Sequence, residues 1–311
     1  MGKASRTKVE STRREKIAAQ RAQERRNEKR RRILMASGAV VVVLAVVLAF
    51  VVVKLNHKST PPATASQGLS NGPTGSALAS VVGKVTSVPA SALAAVGSGS
   101  GSVAALPKTI TGSTLTENGK PEMLYMGAEY CPYCAAERWA MIVALSRFGT
   151  FKGLTTVHSA VENGAGDAEP DPDTPTFTFL HASYSSPYLS FTPVELETNI
   201  PDSSNGEYTA LQTPTAAEQA ISTKYVGADG PIPFIDFGNH VLISGVSYDP
   251  GVLDGLSWST IATDLSNPSS SVAKSVLGTA NYITAAICKG MTGNQPASAC
   301  TPTVRSLESQ I

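Results

Sequence analysis

Cys131 and Cys134 stand two residues apart in GAEYCPYCAAERW, residues 127–139, after the apolar run EMLYMGA and at the start of a helical pattern. Two cysteines at that spacing have three chemistries open to them: dithiol–disulfide exchange, half of a zinc site, or a fixed staple. Exchange needs a thiolate that forms easily and still attacks. A free cysteine titrates near ~8.5, and the dipole and unpaired N–H groups of a helix N-terminus bring this down to roughly 3.5–7.5. The order C-P-Y-C suits such a place. Cys131 is expected at the helix start, exposed. Pro132 suits the first helical position, where no N–H is missed. Cys134 would lie one turn in, close enough to attack a mixed disulfide. A zinc site needs two more ligands. Cys288 and Cys300 are the cysteines left to supply them, at long spacing and with no histidine near either pair, so no metal is expected. ICKGMTGNQPASAC, which holds that second pair, reads instead as a helix end stapled to its following loop. Closing about 13 residues in this way is worth roughly 3 kcal/mol.

The compartment of these thiols decides what they can do. The chain has 311 residues and a net charge of +1, but residues 1–60 carry 15 Lys/Arg and 4 Glu, while residues 61–311 carry 10 Lys/Arg and 20 Asp/Glu. Between a basic tail, 1–32, and the rest lies Ile33–Val53, ILMASGAVVVVLAVVLAFVVV, without a charge. At ~1.5 Å per residue it spans about 30 Å, the thickness of a hydrocarbon core. A cleaved signal peptide would have a shorter apolar region and a small-residue cleavage motif. RRNEKRRR abuts the span, so the positive-inside rule puts the N-terminus in the cytoplasm and residues 54–311 outside. The tail mixes glutamates with its basic residues against a membrane helix. It reads as a solvated segment near anionic headgroups, not a nucleic-acid arm. All four cysteines then meet an oxidising or redox-controlled environment.

Residues 54–103 read as a flexible linker with a short packed segment. STPPATASQGLSNGPTGSA (59–77) is tether-like, and ASVVGKVTSVPASALAAV (79–96) is expected to form a strand and a helix. The globular domain is expected over 104–308, large enough for one good core. Within it, 122–128 reads as a strand. Cys134, Arg138, Trp139, Ile142, Val143 and Leu145 recur at helical spacing, and LTTVHSAV (154–161) reads as the next strand, closing a βαβ unit. Residues 162–228 read as an enlarged insertion ending in a helix capped by Thr213, with Pro214 at its first position. GPIPFIDFGNHVLISG, 230–245, reads as strand, Gly-Asn turn, strand; helices follow at about 250–266 and 270–289.

The strand MLYMGAEY, the CPYC motif and the long helix after it resemble the thioredoxin-like superfamily. IPFIDFGNHVLISG resembles the segment of that fold in which a cis-proline precedes a strand, a turn and an edge strand. The resemblance implies an α/β thioredoxin-like fold behind a single N-terminal transmembrane helix. It makes Pro233 the cis-proline beside the cysteines, Ile232 the residue before it, and Gly245 the later glycine. Substrate would be bound by Pro233, Ile232 and Tyr133. More narrowly, GAEYCPYCAAERWAMIVALSRFG resembles a prokaryotic family of membrane-anchored, thioredoxin-like proteins known as DUF929, over roughly 80–305. Thioredoxins carry a buried Asp six residues before the first cysteine, where this chain has Tyr125. Glu129 is the substitute considered for proton transfer, against the reading that it is surface charge.

Other candidates read as ordinary structure. Asp167, Glu169, Asp171 and Asp173 alternate in a proline-rich acidic loop that lacks a calcium-loop pattern. Tyr184, Tyr188 and Phe191 suit core and hairpin packing more than a substrate groove, and Trp139 suits core. The expected activity is that of a membrane-anchored, extracytoplasmic thiol–disulfide oxidoreductase acting on protein thiols and disulfides. Cys131 and Cys134 are catalytic, Cys288 and Cys300 structural, and no cofactor is involved. An unidentified electron-transfer partner completes the cycle. The dipeptide leaves the direction open, because CxxC potentials span about −270 to −120 mV. The alternative is a non-catalytic scaffold of the cell envelope that docks a partner through 162–228.

Overall fold

The structure is a computed structural model, and it describes residues 68–162, 166, 168–202, 205–291 and 295–311. The basic tail, the expected span Ile33–Val53 and the linker up to residue 67 lie outside the described residues. Among the described residues no single helix is long and apolar enough to cross a membrane; one bent helix pair meets that test by length and composition only.

In chain order the elements are helices α1 (Gly75–Thr86) and α2 (Ala90–Val96), then strands β1 (Lys108–Thr109), β2 (Thr116–Glu117) and β3 (Lys120–Gly127). Helix α3 (Pro132–Leu145) follows, then β4 (Thr150–Lys152), β5 (Thr155–His158), β6 (Pro175–Thr178), β7 (Ser183–Ser185), β8 (Ser190–Glu195), β9 (Glu197–Pro201) and β10 (Tyr208–Ala210). The chain closes with α4 (Ala216–Val226), β11 (Phe234–Phe237), β12 (Val241–Ser244), a 3-10 turn at Pro250–Leu253, α5 (Trp258–Asp264), α6 (Ser271–Gly290) and α7 (Pro302–Leu307).

A mixed sheet runs β1-β12-β11-β3-β2, with β8 also paired to β3. β3 is its centre. It lies antiparallel to β11, with Met126 opposite Phe234, and parallel to β8, with Tyr125 opposite Pro193. Side chains alternate across a strand, so β3 serves two cores. Met123 and Tyr125 enter the larger one, with Trp139 and Ile142 of α3 and Ile283 of α6. Leu124 and Met126 enter the smaller one, against Ile221 and Tyr225 of α4. The sheet is thus covered on both faces. The β11–β12 turn has positive φ at Gly238 and Asn239 (both 64°), the two central residues of a tight turn closed by the His240 N–H on the Phe237 carbonyl at 3.2 Å.

The α3 sequence suggests one apolar stripe, yet every residue of the helix except Tyr133 is buried. A helix covered all round must satisfy its charges internally. Glu137 does so by accepting from the Ser247 N–H (3.0 Å) and hydroxyl (2.9 Å), and Arg138 by pairing with Glu195. Trp139 is core, its indole N–H donating to the Pro175 carbonyl at 2.7 Å.

Four sequence expectations change. The parallel partner of β3 is not 154–161, whose β5 pairs with β6 in a separate ribbon. It is β8, inside the segment read as an insertion, so 162–228 contributes to the central sheet. Pro193 is tolerated in this strand because β8 is an edge with β3 as its sole described partner, and a missing N–H on the open side costs nothing. Residues 79–96 hold two helices and no strand, with Val85, Leu93 and Val96 in the larger core. The compact unit therefore starts well before residue 104, and Gly68 is already tied to Glu129 by a hydrogen bond. The Asn281 amide secures α2 by donating to the Leu93 and Gly97 carbonyls. Finally, the cap of α4 is Thr215, not Thr213, in a reciprocal capping box with Glu218.

Candidate active site

β3 delivers the chain to the CPYC turn at the edge of the sheet's C-terminal end. Cys131 is the N-cap of α3, with extended backbone angles, and Pro132 occupies the first helical position. The cap role falls to sulfur: Cys131 Sγ accepts from the Cys134 N–H at 3.2 Å. The β3–β11 pairing brings the loop before Phe234 alongside, so Cys131 Sγ lies 4.0 Å from the Ile232 carbonyl oxygen. The Ile232–Pro233 peptide is cis, and the Pro233 carbonyl accepts from Gly245 N–H at 2.8 Å. Both cysteines are free thiols.

Cys131 was expected to be exposed, but only 3% of it is. Tyr130, Leu196 and Ile232 close over the pair, an apolar lid the helix pattern did not disclose. Tyr133, by contrast, is 38% exposed beside it. Burial pushes the Cys131 thiol up, but hydrogen bonds from Cys134 and from the Tyr133 N–H, with the Arg138 charge, outweigh it. The thiol is held below its ordinary value. Burial pushes Cys134 well above its own, and the neighbouring Cys131 adds to this. The two sulfurs are thereby made unlike, Cys131 giving up its proton more readily than Cys134.

Glu129 is fully buried, not surface charge. One of its oxygens accepts from the Gly68 N–H at 2.6 Å. Burial raises its pKa, against the opposing Thr178 hydroxyl and Gly68 N–H. The chain at Gly68 is further fixed by Asn199, which accepts from Leu69 N–H (2.7 Å) and donates to the Leu69 and His158 carbonyls. Next to the motif, the Tyr130 and Tyr208 rings stack at 4.1 Å and 6°.

Behind the cysteines lies a group that the motif reading missed. Arg138, one turn after Cys134, donates to both Glu195 oxygens (3.1 and 2.6 Å) and to the Ala128 carbonyl (2.8 Å). Both side chains of the pair are fully buried. Glu195 ends β8 and also accepts from the Phe179 N–H at 3.0 Å. Burial works against the guanidinium's charge, and Glu195 outweighs it, so Arg138 stays cationic. Tyr125 lies under the same guanidinium, 5.8 Å from its ring centroid. The available signal was Arg138 itself: a charge at an apolar-period position demands a buried partner. Its partner, Glu195, could not be named because β8 had not been recognised as the neighbour of β3.

The remaining candidates lie elsewhere. Cys288 and Cys300 form a disulfide between the last turn of α6 and the start of α7. Tyr184 and Phe191 pack with Phe151 and Phe179 in an aromatic cluster, and Tyr188 packs against the same core. In the acidic loop, Asp173 pairs with His158 at 3.0 Å and Glu169 accepts from the Tyr208 hydroxyl at 2.9 Å; Asp167 is outside the described residues. Among the described residues no three His, Cys, Asp or Glu side chains converge as a metal-binding group.

Fold and site together define a mixed α/β domain in which a CxxC pair caps a buried helix. The chain belongs to the family described as Domain of unknown function (DUF929), whose model matches residues 107–289, more than half its length. No curated protein and no solved structure matches it.

Proposed function

We propose that the protein is a membrane-anchored thiol–disulfide oxidoreductase of thioredoxin-like fold, acting outside the cytoplasm on protein thiols and disulfides. The observation that carries the reading is the asymmetry of the two sulfurs. Cys131 caps a helix, accepts the Cys134 N–H and has its thiol held below its ordinary value, while Cys134 is fully buried with its thiol pushed above its own. That is the division of labour between a thiol that exchanges and one that resolves. The thioredoxin-like assignment draws on β3 feeding the CxxC helix, β8 parallel on one side and β11 antiparallel on the other, with Pro233 at the start of β11.

Exchange proceeds by attack of a thiolate on a disulfide sulfur. In the reducing direction a mixed disulfide forms between Cys131 and the substrate, and Cys134 then attacks the Cys131 sulfur, breaks that bond and frees the substrate thiolate, leaving Cys131–Cys134 bonded; the same steps in reverse oxidise a substrate dithiol. Substrate backbone enters beside Ile232 and Pro233, displacing the apolar cover, with the exposed Tyr133 ring at its side. An envelope partner returns the pair to its starting state. The proposed anchor is Ile33–Val53, with the tail 1–32 cytoplasmic; protease added to intact cells should then remove the C-terminal domain and spare the tail.

The test uses the full-length chain. Cys131→Ser should lose exchange with a protein disulfide, and Cys134→Ala should accumulate mixed disulfides resolvable by non-reducing electrophoresis. Wild-type turnover in both variants would sink the enzyme reading. A second reading, a scaffold that docks an envelope partner through 162–228 without turnover, draws on the 3% exposure of Cys131. Alkylation of the folded reduced protein separates the two: rapid modification of Cys131 supports the enzyme, and an inert pair supports the scaffold.

A further inference from the structure

Two buried donors near the CPYC pair have no hydrogen-bond partner among the described residues: the Tyr125 hydroxyl and Arg138 Nη1. An orphaned buried donor costs on the order of 1–3 kcal/mol, so a pair of them in one place asks what they are kept for. Both border the Gly127–Ala128 stretch. A Cβ built on Gly127 would lie 2.1 Å from the Tyr125 hydroxyl and 3.1 Å from Cys134 Sγ, so those two atoms are no more than about 5 Å apart. Glycine leaves room here for the phenol and the sulfur to approach each other. Arg138 Nη2 holds the Ala128 carbonyl at 2.8 Å, and the guanidinium overlies the Tyr125 ring. Ala128, Cys131 and Cys134 form one buried cluster.

Neither donor is useful to a neutral disulfide. Both become useful when a negative sulfur appears in the buried site, because hydrogen bonds to charged groups are stronger and a low-dielectric surrounding magnifies them. We propose, resting on the oxidoreductase reading above, that Tyr125 and Arg138 stabilise Cys134 as the thiolate that leaves when the CPYC disulfide is opened, and so speed the formation of disulfides in substrate dithiols. A substrate thiolate attacks Cys131 Sγ of the enzyme disulfide. The Cys131–Cys134 bond breaks, and Cys134 leaves as a thiolate beside the phenol and the guanidinium. The second substrate thiolate attacks the substrate sulfur of the mixed disulfide and expels Cys131 as a thiolate at the helix N-terminus, while Cys134 takes up a proton. The substrate dithiol loses two electrons and two protons and becomes a disulfide. The enzyme gains both electrons and one of the protons, and the other proton goes to water. In the resting reduced pair, with both thiols free, the two donors are idle; they act while the leaving sulfur is charged, and a better-stabilised leaving thiolate departs faster.

Tyr125→Phe is the clean probe, because it removes a hydroxyl that has no partner among the described residues and keeps the ring in the core. The full-length wild-type and variant proteins, oxidised at Cys131–Cys134, are mixed with excess reduced glutathione, and the rate at which the disulfide opens is read by alkylation of the released thiols. Loss of one hydrogen bond to the leaving sulfur should slow opening about tenfold. The pH profile of Cys131 alkylation in the reduced protein and the denaturant midpoint should stay unchanged. The double variant Arg138→Met/Glu195→Met leaves no buried charge unpaired, and should slow opening further. A rate within twofold of wild type in both variants overturns the inference while exchange itself persists. No exchange by the wild-type protein overturns the oxidoreductase reading instead.

Discussion

The two cysteine pairs sit at opposite ends of different helices. Cys131 caps the N-terminus of α3, whereas Cys288 lies in the last turn of α6 and is bonded to Cys300. The positive end of a helix favours a thiolate and the negative end disfavours one. Around Cys131 the surroundings reinforce the first effect, with N–H donors and the Arg138 charge acting on the sulfur. At Cys288 the bond ties α6 to α7, where Val304 and Leu307 pack on Tyr282 and Ala285. One type of residue thus stands as a free thiol at a helix N-terminus in one place and as a tie between two helices in the other.

Exchanging the roles should be impossible, and that is the strongest test. Cys131→Ser should reduce exchange to background while leaving Cys288–Cys300 intact by mass, whereas Cys288→Ser/Cys300→Ser should retain the exchange rate of wild type. Any protection of activity by the second pair alone would end the distinction. Next in size is the ion pair under the reactive centre. Glu195→Gln leaves the Arg138 charge buried without its counter-ion and should cost about 3–5 kcal/mol in denaturant unfolding. Removal of the α6–α7 disulfide should cost roughly 3 kcal/mol in the same measurement, for a loop closed at a sequence separation of 12.

The smallest effect concerns a carboxylate on the same helix as the reactive pair. Burial raises Glu137 to about 7, against the two Ser247 hydrogen bonds. An acid whose folded pKa lies above its unfolded value binds its proton more tightly when folded. The stability it contributes is present in acid and is lost as pH rises from about 4.5 through about 7. The loss should amount to roughly 2–3 kcal/mol, and Glu137→Gln should flatten that slope in unfolding curves collected at pH 5 and pH 8. Because Glu137 contacts Ser247 and not the sulfurs, the pH profile of Cys131 alkylation should stay put. A variant that moved both would show that the reactive centre and the body of α3 are not electrostatically separate.

Much of the site was legible because it is local. The N-cap place of Cys131, Pro132 at the first helical position and the strand before them follow from short-range rules, as do the β11–β12 hairpin and the α6 helix. The tail of the expectation that failed is non-local. Which strand runs beside β3 is decided by packing across some 65 residues. The exposure of Cys131 was misjudged for the same reason, since Leu196, just after β8, and Ile232, just before β11, come from far along the chain to pack against it. Glu129 was undecidable for want of Gly68, whose N–H meets it from the far end of the domain.

The sequence by itself determined where the CxxC sulfurs could stand, because capping preferences act within a few residues; the place of Pro233 beside them was implied by the resemblance of IPFIDFGNHVLISG to a known fold. Only the tertiary structure decided what surrounds those sulfurs. Arg138, Glu195 and Tyr125 come from a helix, an edge strand and the central strand, and a charge buried among them takes its energy from all three at once.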